Sequence, residues 1–330
     1  MTVPTTMHAL RQRSADGPEG LTLITDAPVP VPGPGEILIR VAAAGINFRD
    51  VTLSRGDAPD SPPPPYLAGF EGAGTVVALG PGVTAPDLGA RVVGVGSGAF
   101  AQYMVLPAAG AVPVPAGWTA EQALGLVVNW PTALAALVPL GRVAAGETVL
   151  VQAAAGGTGQ AAVRLAKHYG ATVVAAASPG KHETVRALGA DYVIDSRRTD
   201  LAAEVVRRTD GQGADLVLES AGGASFAAAV AAAKPVTGRV VVFGTAGGDA
   251  TISNRDLVYR NQIQLTGFNV GVLIRSAPRV FGEVMSELFG LVAAGVIPPG
   301  SPTGYDLADG PKVLAELESR TTVGKLALRP

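Results

Sequence analysis

The run Val149-Leu-Val-Gln-Ala-Ala-Ala-Gly-Gly-Thr-Gly-Gln160 carries an apolar strand into a tight glycine turn and straight on into a helix, an order that few folds accept. Gly156 lets a backbone come close to a bound group and Gly159 lets the helix lie on the strand. The first helical N–H groups, unpaired and at the positive end of the helix dipole, face an anion. Helical spacing follows in Ala161, Val163, Leu165 and Ala166 and stops at Gly170, and a second apolar strand spans Ala171 to Ala177. Strand, helix and strand in this order make a βαβ unit. Its turn, formed by Ala155, Gly156, Gly157, Thr158 and Gly159, is the expected cradle of a dinucleotide pyrophosphate. The first glycine of the usual G-x-G-x-x-G pattern is Ala154 here. A strand-turn-helix without a ligand is the plainer alternative.

The end of the second strand bears on which dinucleotide. An NAD site carries Asp or Glu there, about 20 residues past the glycines, to bond the ribose 2'-hydroxyl. This chain reads Ala175-Ala-Ala-Ser178-Pro-Gly-Lys181, with no acid. A carboxylate repels a 2'-phosphate, whereas the Ser178 hydroxyl and the Lys181 ammonium attract one, so NADPH is expected. Lys181 as a solvated loop lysine is the alternative, and the missing acid weighs more. Arg197 and Arg198, after a short strand Tyr192 to Asp195, supply further charge to the same pocket or lie on the surface.

A chain of 330 residues, 48% hydrophobic, is long enough for two domains with separate cores. A net charge of -2 with 16% charged residues and no basic run argues against nucleic acid. With no cysteine there is no disulfide, thiolate zinc site or cysteine nucleophile. The opening Met-Thr-Val-Pro-Thr-Thr-Met-His lacks the charged and apolar regions of a signal peptide, so a cytoplasmic protein is expected. The uncharged stretch 123–141 is long enough to raise a membrane span. Asn129, Pro131 and Thr132 in its middle favour a buried connection at a domain junction. No G-x-S-x-G elbow or G-x-x-x-x-G-K-[ST] loop occurs, and His8, His168 and His182 have no nucleophile nearby in sequence.

Segment order gives an α/β architecture. Short β-type runs at 21–24, 36–42, 74–79, 91–95 and 101–105, separated by Pro-Gly and glycine turns, suggest a small twisted barrel. From about Val143 strands alternate with helical stretches, at 148–152, 173–176, 192–194, 216–218 and 240–243, and a last strand at 264–268 completes a doubly wound parallel sheet. A helix at about 277–294 follows, and Lys325-Leu-Ala-Leu328 is expected to return to the first domain.

These segments bring a family into view. A barrel carrying Ala44-Gly-Ile-Asn-Phe-Arg-Asp50, Ala68-Gly-Phe-Glu-Gly-Ala-Gly74 and Gly89-Ala-Arg-Val92 ahead of Ala154-Ala-Gly-Gly-Thr-Gly159 resembles the medium-chain dehydrogenase/reductase superfamily over nearly the whole chain. The resemblance implies a GroES-like β-barrel catalytic domain, residues 1–123 and 269–330, and a Rossmann doubly wound sheet, residues 124–268. Zinc alcohol dehydrogenases have Cys where this chain has Asn47 and His where it has Phe70, so two of three expected zinc ligands are missing and no metal is expected. That places the resemblance in the zinc-independent branch of quinone oxidoreductases, 2-enoate reductases and enoyl reductase domains. Asn47-Phe-Arg-Asp-Val51 with Ala177-Ser-Pro-Gly-Lys-His-Glu-Thr-Val-Arg-Ala-Leu-Gly189 is similar to the polyketide synthase enoyl reductases.

What the resemblance implies is hydride transfer from NADPH to the β-carbon of an activated alkene, an enoyl thioester or enone. Negative charge on the carbonyl oxygen is then met by hydrogen-bond donors or solvent. Carried over, Lys181 and Asp200 fall at proton-donor positions. Asp200 is equally the N-cap of a helix Leu201 to Arg208, and Lys181 is equally the 2'-phosphate ligand. Ala58 stands where some members carry a tyrosine that affects protonation, so bound water is a third candidate donor. Asn47 is the expected polar group near the nicotinamide or the carbonyl, or else a turn residue. Thr132, Gly244, Thr245, Phe268, Asn269 and Lys325 are expected around the nicotinamide half of the coenzyme. An NADPH:quinone oxidoreductase and a non-catalytic NADPH-binding protein are the alternatives. The run Ile263 to Phe268 would form an exposed sheet edge, and a homodimer is expected.

Overall fold

A computed structural model describes residues 3–195 and 200–330 of the chain. The chain divides into two compact units, Met1–Val127 with Pro299–Pro330, and Val128–Pro298.

The first unit is mostly β. Its strands are β1 (Thr6–Gln12), β2 (Leu21–Pro28), β3 (Glu36–Ile46), β4 (Tyr66–Leu67), β5 (Glu71–Leu79), β6 (Arg91–Val95), β7 (Tyr103–Pro107) and β8 (Val112–Pro113), joined by β15 (Thr303–Asp306) and β16 (Leu326–Arg329) of the C-terminal segment. One sheet runs β2-β1-β4 and another runs β15-β16-β3-β5-β6-β8, with β7 also on β3. Both contribute to one core, in which Leu10, Ile37, Ile39, Phe100, Met104 and Leu328 are fully buried. β3 and β5 carry two register irregularities, and a Cβ at Gly74 would lie 2.0 Å from the Arg40 carbonyl oxygen, so only glycine fits where the strands press together. The C-terminal strand does return here. β16 pairs antiparallel with β3, Leu326 opposite Ile46 and Ala327 opposite Gly45, and this register sets Lys325 beside Asn47. β1, absent from the expected strands, pairs with both β2 and β4.

The second unit holds β9 (Thr148–Val151), β10 (Thr172–Ala177), β11 (Tyr192–Asp195), β12 (Leu216–Glu219), β13 (Arg239–Val242) and β14 (Gln264–Gly267). Among the described residues they form one sheet in the order β11-β10-β9-β12-β13-β14, every neighbouring pair parallel. The central strands β9 and β10 are buried nearly throughout and apolar on both faces, as a sheet covered by helices requires. The chain winds outward from β9 in one direction and from β12 in the other, so the two meet at a topological switch point, where ligands of such sheets bind beyond the carboxyl ends.

The units part at Val127/Val128 and Pro298/Pro299, against the expected 123/124 and 268/269. Residues 269–298 go with the sheet because the helix Pro278–Ala293 buries Val284, Leu288 and Leu291 and packs on the helix Asn129–Ala135. The uncharged stretch 123–141 is broken into short helical pieces, with Pro139 inside one of them. No helix among the described residues is long and apolar enough to cross a membrane.

Candidate active site

In the first unit, four polar side chains gather where β3, β5 and β16 meet. Asn47 follows β3 and caps the helix Phe48–Arg55, with its backbone N–H donating to Asp50 Oδ2 at 2.8 Å. Its side-chain Nδ2 donates to Glu71 Oε2 at 2.8 Å and to the Gly45 carbonyl at 3.3 Å. Lys325 Nζ donates to Asn47 Oδ1 at 2.8 Å, to Glu71 Oε2 at 2.5 Å and to the Ile46 carbonyl at 3.2 Å. Glu71, at 0% exposure, also accepts from the Gly125 N–H at 2.5 Å.

An ion pair so far from water persists only with near-complete hydrogen bonding, and Glu71 with three donors and Lys325 with three acceptors meet that condition. Both amide protons of Asn47 are committed, so its one uncommitted capacity is a lone pair on Oδ1. Phe70, half-buried, offers no ligand atom, and among the described residues no group of three His, Cys, Asp or Glu is placed to hold a metal.

Asp50 lies beneath this cluster at 4% exposure. Burial pushes its carboxyl up to about 7, Glu71 adds to the rise, and the Asn47 N–H, Lys325 and Arg49 oppose it. Its Oδ1 is buried without a partner among the described residues.

In the second unit, the helix Gly157–His168 starts at Gly156 with no side-chain cap. A Cβ at Gly159 would lie 2.3 Å from the Ala153 carbonyl oxygen, so the helix packs on the turn only because that residue is glycine. A Cβ at Gly156 would touch only that same oxygen, at 3.4 Å, which leaves the rest of its surroundings open to a ligand. Asn129 borders the cradle, donating from Nδ2 to Thr158 Oγ1 at 3.0 Å, while its Oδ1 is buried and unpartnered among the described residues. Ala155 is buried in the turn. The cradle fits a pyrophosphate: open helix N–H groups, room above Gly156 and no acidic residue in the turn.

β10 ends at Ala177, and Ser178 leads into a short helical turn Pro179–Lys181, tied by the Lys181 N–H to the Ser178 carbonyl at 2.9 Å. Ser178 and Lys181 are half-buried. Arg197 lies outside the described residues. Asp200 is exposed and caps the helix Leu201–Arg208, accepting from the Ala203 N–H at 3.1 Å. Thr132, nearly buried, donates its hydroxyl to the Val128 carbonyl at 2.6 Å.

Gly244 follows β13, and a Cβ there would lie 2.5 Å from the Ser220 carbonyl oxygen, so the loops after β12 and β13 touch backbone to backbone. Thr245 is exposed, Phe268 is half-buried beyond β14, and exposed Asn269 caps the helix Val270–Ser276 through the Val272 N–H at 3.1 Å.

The structure thus joins Asn47 to Lys325 and sets the glycine cradle, Ser178, Lys181, Gly244, Thr245, Phe268 and Asn269 on loops after successive parallel strands. The sequence reading missed Glu71, Asp50, Gln152 and Glu219. Gln152 and Glu219 follow paired positions of β9 and β12 at the switch point, are buried, and each keeps one polar atom, Nε2 and Oε2, without a partner among the described residues. Glu219 Oε1 accepts from the Ala221 and Gly222 N–H groups, and burial raises its pKa.

The chain matches the family profile described as "Alcohol dehydrogenase GroES-like domain" over residues 33–116 and that described as "Zinc-binding dehydrogenase" over residues 157–289. Over 93% of its length it is 38% identical to the polyketide synthase GfsB of Streptomyces halstedii, and it spans 5% of that protein. It is similar to a mycobacterial protein solved in complex with NADPH, at a TM-score of 0.92 and 32% identity, covering 98% of this chain and 100% of that one. The quinone oxidoreductase of Pseudomonas syringae pv. Tomato DC3000 is similar at a TM-score of 0.91 and 32% identity, with the same coverage of each chain.

Proposed function

The chain belongs to the medium-chain dehydrogenase/reductase superfamily, and from that premise we propose that it is an NADPH-dependent reductase of alkenes conjugated to a carbonyl, an enoyl thioester or an enone. The observation that carries this reading is the open glycine cradle at Gly156 together with a β10 end that offers Ser178 and Lys181 instead of an acid. In it, Ala155 to Gly159 would hold the pyrophosphate, and Ser178 and Lys181 the 2'-phosphate. Thr132, Gly244, Thr245, Phe268 and Asn269 would border the nicotinamide half. When bound, NADPH supplies a hydride to the electron-poor β-carbon.

The chain's own residues position and stabilise. Asn47 stands where a thiolate ligand would be, and its amide protons are held by Glu71 and Gly45, so it accepts a hydrogen bond from whatever it meets. Lys325 and Glu71 fix that orientation. Charge gathering on the substrate oxygen is met by donors other than a metal, in keeping with Asn47 and Phe70 at the ligand positions. An acceptor panel tests the reading: NADPH should be consumed with crotonyl-type thioesters or enones and left intact with simple ketones. Consumption with simple ketones alone would refute it.

Quinone reduction is the second reading, favoured by the likeness to the Pseudomonas enzyme; faster turnover on quinones than on any enone would select it. β14 closes one edge of the sheet, and exposed Val258, Tyr259, Val272 and Ile274 lie on the segments flanking it in sequence, which supports a homodimer. Sedimentation showing only a 33.1 kDa species would refute that. A cytoplasmic setting, with its NADPH pool, suits the reaction.

A further inference from the structure

Burying a carboxyl at a strand end costs stability, and Glu219 closes β12 at 0% exposure. Its side-chain bonds go to the turn that its own strand enters. Oε1 accepts from the Ala221 N–H at 3.0 Å and from the Gly222 N–H at 2.8 Å, while Oε2 has no partner among the described residues. That turn is stitched to the loop after β13. The Gly247 N–H donates to the Ala221 carbonyl at 2.5 Å, and the Gly223 N–H donates to the Gly248 carbonyl at 2.8 Å. A Cβ at Gly222 would lie 2.4 Å from the Gly248 carbonyl oxygen, and one at Gly223 would lie 2.1 Å from that of Gly247. Both glycines have positive φ, so a side chain at either is excluded twice over. The shape of the 219–223 turn therefore sets the place of the 244–248 loop, which carries Gly244 and Thr245.

Sheet order says what this loop serves. With the 2'-phosphate at the end of β10 and the pyrophosphate on the turn after β9, the next strands in the same direction are β12 and β13. Each is about 4.8 Å further along, so the nicotinamide half of the coenzyme extends over the loops that follow them. We propose, on the NADPH reading above, that Glu219 is a positioning residue for that half: its carboxyl shapes the turn after β12, and the turn holds the 244–248 loop against the nicotinamide end. Glu219 acts through backbone alone. Because Oε1 carries both bonds, a glutamine with its amide oxygen in that place keeps them, and its nitrogen replaces an oxygen without a partner. A leucine fills the strand end and loses both bonds.

The test titrates full chains with two probes, NADPH and 2',5'-ADP, the second of which carries the adenosine and 2'-phosphate but no nicotinamide. Glu219→Leu should raise the Kd for NADPH about tenfold or more and leave that for 2',5'-ADP within about twofold. Glu219→Gln should bring the Kd for NADPH back to within about threefold of wild type. Gly223→Ala drives a methyl into the Gly247 carbonyl without touching the carboxyl, should repeat the selective loss, and decides the matter if the leucine variant does not fold. Equal weakening of both probes, an unchanged Kd for NADPH, or no recovery in Glu219→Gln would overturn the assignment. A wild type that binds neither probe would instead overturn the coenzyme reading on which it rests.

Discussion

Replacing Asp50 by asparagine should stabilise the protein, and only where the carboxyl would otherwise be charged. Burial moves this group from an ordinary 3.8 to about 7. Because its folded-state value is raised, the folded chain holds the proton more tightly than the unfolded chain between those limits. Stability is therefore undiminished below about pH 4 and is lost as pH rises through about 7. At roughly 1.4 kcal/mol per pH unit the full loss is on the order of 4 kcal/mol. The amide that replaces the carboxyl would keep an oxygen for the Asn47 N–H, so the helix cap survives, and it has no charge to bury. Urea unfolding of both proteins at about pH 4, 6 and 8 reads the effect directly. Wild type and Asp50→Asn should be similar in the acid, and the variant should be more stable by several kcal/mol at about pH 8. Parallel curves across the whole range would refute the reasoning, because the carboxyl would then be as easily ionised in the folded chain as in water.

Other expected outcomes follow from the same contacts. Lys325→Met leaves Glu71 buried and charged with two of its three donors, and should cost about 3–5 kcal/mol in urea unfolding, whereas adding Glu71→Gln should recover much of it. A cost under about 1 kcal/mol for the single change would contradict the buried pair. Gly159→Ala drives a methyl into the Ala153 carbonyl and should cost about 1–3 kcal/mol while weakening NADPH binding at least tenfold by fluorescence titration. Lys181→Ala should raise the Kd for NADPH about 10- to 100-fold, the worth of one charge-assisted hydrogen bond, and leave that for NADH within about twofold; equal effects on both would remove Lys181 from the 2'-phosphate.

The parts legible in the sequence are those set by local chemistry. The glycine turn can be read because its backbone demands fall within a few consecutive residues, and the Gly159 contact answers to that demand. Asp200 as a helix cap is likewise written in Asp-Leu-Ala-Ala-Glu. The polar cluster of the first unit is not local. Asn47 and Lys325 are 278 positions apart and meet only through the register of β16 on β3. Glu71 stands inside the Ala68 to Gly74 motif, yet its work depends on being buried against a lysine from the far end of the chain. A carboxylate set among small residues in a strand otherwise built for close packing was the available signal. The loss of residues 269–298 from the expected first domain has the same origin, since the packing of the helix Pro278–Ala293 assigns them.

In the proposed reaction the reducing equivalents of NADPH go to carbon, at the position β to a carbonyl. NADPH carrying deuterium at nicotinamide C4 should be incubated with an enone and the product examined by NMR. Deuterium on the β-carbon of a saturated ketone is the predicted result, and deuterium on the carbonyl carbon of an allylic alcohol would contradict the account.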